Sequence, residues 1–197
     1  GLDLQRGDID HIVFLNTKDR VGHGGVQHGG DEAALYHVDG MAEVGADVEL
    51  EGAGLLLLVD GDVSQANDLL GHRYRVAGRV SPGSERGAKI GFPTANLTHV
   101  VTVLPRDGVY AGVVYHDGKQ YAAAVNLGPN PTFGEKRRKI EAHLLDFEGD
   151  LYGEALELEF VSRIRDTQTF PDVEMLTRQL TQDVEQTRGV VSRLLNR

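Results

Sequence analysis

GVYAGVVYHDGKQYAAAVNLG, residues 108–128, decides the fold of this chain. Two runs rich in Val, Tyr and Ala flank Asp117 and Gly118, a dipeptide that accepts the positive φ of a two-residue turn, so the stretch predicts a β-hairpin. Downstream, KIEAHLLDF (139–147) and ALELEFV (155–161) alternate in the same manner and predict two further strands. The tail changes period. Val173, Leu176, Leu180, Val184, Thr187, Val191 and Leu194 recur every three or four residues after Pro171 and Asp172, the pattern of one amphipathic helix that covers something. Short strands with turns between them begin at Tyr74, and five or six antiparallel strands closed by one helix predict a small barrel with a helical flank.

Upstream the texture differs. DGDVSQANDLLG (60–71) predicts a short helix: Asp62 caps it, Val63, Ala66, Leu69 and Leu70 form its apolar face, and Gly71 ends it. Residues 1–54 show weak periodicity, with a Gly/His-rich patch over 22–30 and one short apolar run, Ile12-Val13-Phe14-Leu15, that reads as a strand. No internal repeat is present. The expected division is an acidic segment over 1–70 and a barrel domain over 71–197.

Charge follows the same division. Residues 1–70 carry fourteen acidic against three basic side chains, a net of −11, whereas 71–197 carry sixteen against seventeen, a net of +1, so the acidity behind the overall −10 belongs to the first part. That balance lacks the basic footprint of a nucleic-acid binder. With 40% hydrophobic and 25% charged residues the composition is that of a globular protein, and no apolar run approaches a membrane span. The absence of Cys excludes a disulfide framework and thiolate metal sites. The first residues lack the basic and apolar regions of a secretion signal, so a cytoplasmic location is expected.

Four constellations could carry chemistry. In RGAKIGFPTANL (86–97), Pro93 holds Phe92 extended, and in an extended segment the Thr94 hydroxyl and Asn96 amide share one face. Gly83, Gly87 and Gly91 upstream would let the backbone close on a ligand and turn N–H groups toward phosphate oxygens. The alternative is a surface loop with a solvated Lys89. The spacing is not that of a Walker P-loop. In IEAHLLD (140–146), Glu141 and His143 share a strand face; Glu141 is either a general base for a hydroxyl group or part of a wet face, and His143 reads as a structural partner. The cation run of Glu135 to Lys139 is a solvated loop or a nucleotide attractor. His23, His28 and His37 give only a weak metal pattern.

In chain order these pieces are more specific than singly. GRVSPGSERGAKIGFPTANL (78–97), GVYAGVV (108–114), VNLGPNPTFGE (125–135), KIEAHLLDFEGDLYGE (139–154) and FVSRIRDTQTFPDVEMLTRQLTQDVEQTR (160–188) together resemble the riboflavin kinase family, most closely the kinase module of bacterial bifunctional riboflavin kinase/FAD synthetases. The resemblance implies a mainly β fold: a six-stranded antiparallel Greek-key barrel with a C-terminal α-helix, preceded here by a small α/β remnant. It implies transfer of the γ-phosphate of ATP to the ribityl 5′-hydroxyl of riboflavin, giving FMN and ADP, with Mg²⁺ or another divalent ion. Carried over by position, Thr94 and Asn96 would hold metal and phosphates. Gly83, Gly87, Lys89, Gly91 and Pro93 would complete the ATP segment. Glu141 would take the hydroxyl proton, and Arg165, Phe170 and Met175 would shape the flavin side. The expected partners are these two small molecules, not nucleic acid or membrane; the oligomeric state is not legible.

The N-terminal part departs from that pattern. LLVDGDVSQANDLLGHRY (57–74) resembles the link between the two modules, and VGHGGVQHGGDEAAL (21–35) faintly resembles a glycine-rich adenylyltransferase segment. No His-x-Gly-His occurs, apolar GLLLLVD (54–60) replaces the expected Ser-Ser-x-x-x-Arg, and a full nucleotidyltransferase domain does not fit in about 70 residues. A truncated or decayed module is inferred, and FAD synthesis is not expected. The alternative to a kinase is a non-catalytic flavin- or nucleotide-binding regulatory protein built on the same barrel.

Overall fold

The computed structural model describes residues 12–15, 34–37, 48–130, 132, 134 and 137–196. The candidate metal residues His23 and His28 lie outside the described residues, as do Glu135 and Lys136 of the cation run. Strands β1 (Ile12–Leu15) and β2 (Ala34–His37) pair antiparallel, so the expected IVFL strand is present. Helices α1 (Val48–Asp60) and α2 (Val63–Leu70) follow. Helix α2 forms for the reasons its sequence suggests. Asp62 Oδ1 accepts from Gln65 N at 3.0 Å, and Gly71 closes the helix in the left-handed region at φ 72°. Helix α1 has no such signature, because Leu55 to Leu58 present apolar side chains all round and leave no 3.6-residue contrast. Its sidedness comes from packing. Leu55 and Leu58 are buried while Leu56 and Val59 are exposed, and Leu55, Leu58, Val63 and Ala66 join one core cluster with the barrel residues.

The barrel consists of β3 (Arg75–Ser81), β4 (Ala95–Thr98), β5 (Gly108–His116), β6 (Lys119–Gly128), β7 (Lys139–Leu144) and β8 (Ala155–Arg165), with a four-residue helix α3 (Arg86–Lys89) between β3 and β4 and helix α4 (Val173–Leu195) at the end. It closes in the order β3-β4-β7-β6-β5-β8, every neighbour antiparallel. Strands β5, β6 and β7 are consecutive neighbours and β8 returns beside β5, which makes the connection a Greek key. The predicted hairpin is in place, with Asp117 and Gly118 at φ 47° and 71°.

Closure gives the sheet an inner face filled by residues such as Val76, Val80, Leu97, Tyr110, Val125, Ile140 and Leu158. Helix α4 packs on β5, β6 and β8, so β5 is buried on both faces from Gly108 to Val114. Leu176, Asp183, Thr187 and Val191 are the buried residues of α4. Val173, expected on the apolar face, is half exposed, as is Met175 in the same turn, and Asp172 caps that turn by accepting from Met175 N. Two irregularities interrupt the β5–β8 register. One makes Val109 oppose Arg165 and Tyr110 oppose Arg163, leaving Ile164 as the extra residue. The bulge sends Arg163 toward the Tyr110 side and Arg165 to the outer side. Without it both would point the same way.

At the opposite wall, Tyr74 is buried and donates to Val103 O at 2.7 Å. Burial raises its hydroxyl from 10.0 to about 12. The neutral phenol is the form the fold favours, so its contribution is complete below pH ~10 and disappears as pH rises through about 12, roughly 2–3 kcal/mol in all. Urea titrations from pH 9 to 12 are expected to show this alkaline loss and Tyr74→Phe to flatten it; an unchanged slope in the variant would assign the loss elsewhere.

Candidate active site on the outer face of the barrel

The six barrel strands each place one residue at a common level. Ser81 opposes Asn96, Asn96 opposes Glu141, Glu141 opposes Asn126, Asn126 opposes Val109, and Val109 opposes Arg165. Directly opposed residues share a face, and the flanking Ala95, Leu97, Ile140, Ala142, Val125 and Leu127 fill the core, so this row points away from the interior. Strands alone would leave it wet. Glu141 is nevertheless only 8% exposed. The cover comes from the β3–β4 loop on one side and from α4 with its preceding segment on the other.

Between these covers lies a cleft of about 950 Å³, counted to include its open mouth. Its floor includes Glu141, Asn126 and Ala124, and Asn130 Nδ2 donates to Glu141 Oε2 at 3.3 Å. The loop side contributes Ser84 to Gly87, Phe92 and Thr94; the helix side contributes Arg165, Thr167, Phe170, Leu176, Leu180 and Val184.

The loop owes its shape to close backbone approaches. A Cβ on Gly83 would collide with the Asn96 side-chain amide and one on Gly87 with the Phe92 backbone carbonyl, so a larger residue at Gly87 would force the loop backbone to move. Gly87 O also accepts from Phe92 N at 2.8 Å. His143 holds the far end of the loop: its Nδ1–H donates to Pro93 O at 2.7 Å and its ring meets Phe92 edge-on at 5.5 Å. That is the structural partnership expected of it.

The helix side is locked by charge. Arg165 donates through Nε and Nη2 to the two Asp183 oxygens at 2.9 and 2.6 Å, with Asp183 only 2% exposed. Gln179 Nε2 donates to Asp183 at 2.9 Å, and the Arg165 guanidinium stacks over Phe170 at 5.9 Å. Near the other end of α4, an exposed pair between Arg188 and Asp146 ties the helix to the end of β7 and holds the Asp146 carboxyl below its ordinary range.

Glu141, Thr94, Gly87, Arg165 and Phe170 thus line one cleft, with Asn96 beside Glu141 and Gly83 against Asn96. Lys89, Gly91, Pro93 and Met175 do not line it. Gly91 instead supplies a turn at φ 90°, and Met175 is half exposed in the first turn of α4. In the cation run, Arg138 is engaged with Asp107 at 2.6 Å and with Pro105 O. Sequence reading missed Asn126, Asn130, Thr167 and Asp183. Asn126 was within reach, since alternation from buried Val125 and Leu127 puts it outward; Asp183 shows only as a charge interrupting an apolar stripe.

The description "riboflavin kinase" belongs to the family whose model matches residues 70–191. The bifunctional riboflavin kinase/FMN adenylyltransferase of Bacillus subtilis is 41% identical over 133 residues, 66% of this chain and 42% of the relative. Its namesake from Pseudomonas fluorescens is 33% identical over 201 residues, 98% of this chain and 62% of the relative. A crystal structure from Streptococcus pneumoniae described as a macrolide-efflux protein superposes with a TM-score of 0.64 at 37% identity, covering 70% of this chain and 45% of that one. The chain spans between 41% and 62% of the length of the curated relatives it matches. On the family match and the barrel that carries it, this chain belongs to the riboflavin kinase family.

Proposed function

We propose that the chain is an ATP:riboflavin 5′-phosphotransferase. The ribityl 5′-oxygen attacks the γ-phosphorus of ATP, an O–P bond forms as the bond to the β,γ-bridging oxygen breaks, and the hydroxyl proton passes to the Glu141 carboxylate. The carrying observation is that a nearly buried carboxylate stands directly across from Asn96 and beside Asn126 and Asn130 in the cleft. A group so placed can accept a proton from a hydroxyl held over the sheet. Phosphoryl transfer otherwise requires positioning and charge neutralisation, which the glycine loop suits through backbone N–H groups.

The donor set near the loop fits a metal that arrives with the nucleotide. Thr94 and Asn96 offer neutral hard oxygens, and no group of three or more His, Asp or Glu able to hold an ion occurs among the described residues. Such a pair suits Mg²⁺ completed by phosphate oxygens and water rather than an all-protein cage. When bound, the ion neutralises phosphate charge. Thr94→Ala is expected to raise the KM for Mg-ATP about tenfold with riboflavin affinity unchanged; equal ADP affinity with and without Mg²⁺ in the unaltered protein would remove Thr94 from that role.

Residues 1–70, in which no His-x-Gly-His occurs, are read as related to an adenylyltransferase module in a cytoplasmic enzyme. The Pseudomonas relative aligns through them, and α1 and α2 pack into the barrel's core cluster. No described helix is long and apolar enough to cross a membrane. The deciding assay incubates the chain with riboflavin, ATP and Mg²⁺ and separates the products. FMN and ADP in equal amounts are expected, without FAD; tight flavin binding with no FMN would favour a regulatory binder.

A further inference from the structure

The β4–β7 ladder stops one residue short of the threonine proposed to meet the nucleotide's metal. Ala95 opposes Ala142 and Asn96 opposes Glu141, so the same register places Thr94 opposite His143, but β4 begins only at Ala95. The ladder therefore fixes Asn96 and leaves the Pro93–Thr94 peptide outside it, and Pro93 has no N–H with which to extend it. His143 takes over at that position. Its Nδ1–H donates to Pro93 O at 2.7 Å, and its ring meets Phe92 edge-on at 5.5 Å. The donor is itself held by the sheet, since His143 opposes Ala124 in the β6–β7 ladder.

Residues two apart on a strand share a face, so His143 stands on the cleft side with Glu141, and both line the cleft together with Thr94 and Phe92. One strand thus carries the proposed base and, two residues on, the side chain that ties down the Pro93 carbonyl. That carbonyl belongs to the same planar peptide as Thr94 N, so a hydrogen bond at its oxygen limits rotation of the unit from which Thr94 departs. We propose that His143 is a positioning residue for the metal and nucleotide end of the cleft, acting through the Pro93–Thr94 peptide to hold Thr94 in place relative to Glu141. This rests on the kinase reading for the ligand and for Thr94 as its metal contact, and goes beyond that reading in naming what sets Thr94 against the base.

The test uses the full chain with His143→Phe, which keeps a ring against Phe92 but has no donor, and His143→Asn, whose amide Nδ2 is as many bonds from the backbone as the imidazole Nδ1. ADP affinity is measured by calorimetry with and without Mg²⁺. His143→Phe is expected to weaken ADP about three- to tenfold with Mg²⁺, the effect of one lost hydrogen bond, and less than about twofold without it. Riboflavin affinity is expected to stay within about twofold and the ligand-free melting midpoint within about 3 °C. His143→Asn is expected to bind within about threefold of the original, and in a Thr94→Ala background His143→Phe should add less than about twofold. In the ligand-free protein at about pH 9, nitrogen chemical shifts of the ring should report the Nδ1–H tautomer. The Nε2–H tautomer overturns the proposal, because Nδ1 would then have no proton to donate. It is overturned equally by the same ADP weakening with and without Mg²⁺, by joint loss of ADP and riboflavin affinity with a lowered midpoint, or by an asparagine variant weaker than the phenylalanine one, which would assign the effect to ring packing. FMN formation by the unaltered protein is scored in parallel. FMN with an indifferent phenylalanine variant sinks only the His143 assignment, absent FMN with a discriminating variant sinks only the kinase reading, and absence of ADP binding sinks both.

Discussion

Glu141→Gln is expected to reduce kcat by about a hundred- to ten-thousandfold while riboflavin and ATP still bind, the range a positioned general base contributes. The exchange preserves shape. The Gln side chain keeps one carbonyl oxygen, so Asn130 Nδ2 can still donate to it as it does to Glu141 Oε2. What is lost is the proton acceptor opposite Asn96. Single-turnover FMN formation measures the chemical step, and flavin fluorescence measures binding. A fall in kcat with unchanged affinity is the signature of an interaction made in the transition state. Turnover within a factor of about three of the original would leave Glu141 as a buried structural carboxylate.

Asp183→Ala is expected to destabilise the fold by about 3–5 kcal/mol, the penalty for leaving one member of a buried ion pair alone. Arg165 carries the consequence, since its side chain is 15% exposed and both of its bonds to the carboxylate would go unreplaced. The same clamp holds Arg165 over Phe170 in the cleft wall, so flavin binding should weaken with stability. The double variant Arg165→Met/Asp183→Leu separates the two effects, because an apolar pair of similar volume removes both charges and should recover most of the stability. Flavin affinity should recover less, since the stacked guanidinium is gone. Urea midpoints of the original and the two variants decide the matter. A single alanine variant within about 1 kcal/mol of the original would mean that water reaches the site and that α4 is held by its apolar stripe alone.

Legibility tracked how local the determining forces are. The β5–β6 hairpin, α2 with its Asp62 and Gly71 ends, and α4 from its Asp172 cap were readable because turn chemistry, capping and period act within a few residues. Helix α1 was not, since an apolar surface on all sides carries no phase until the barrel buries Leu55 and Leu58. The short β4 was visible as an extended Thr94 to Asn96 segment, but its partners were not. The motifs identified candidate residues, yet several of them, Lys89, Gly91, Pro93 and Met175, lie outside the cleft lining while serving turns, loop ends or the first turn of α4.

By itself the chain order of residues determined the kinds of element present, the family resemblance and the chemical types available: a carboxylate, two neutral oxygens and a flexible glycine loop. Only the tertiary structure decided that Glu141 lies on the outside of a closed barrel and is still nearly buried, because closure fills the inner face and the loop and α4 then cover the outer one. It also decided that a bulge at Ile164 turns Arg165 outward to meet Asp183. Those outcomes depend on strand register and on pairing between residues far apart in sequence, which a local pattern of side chains does not encode.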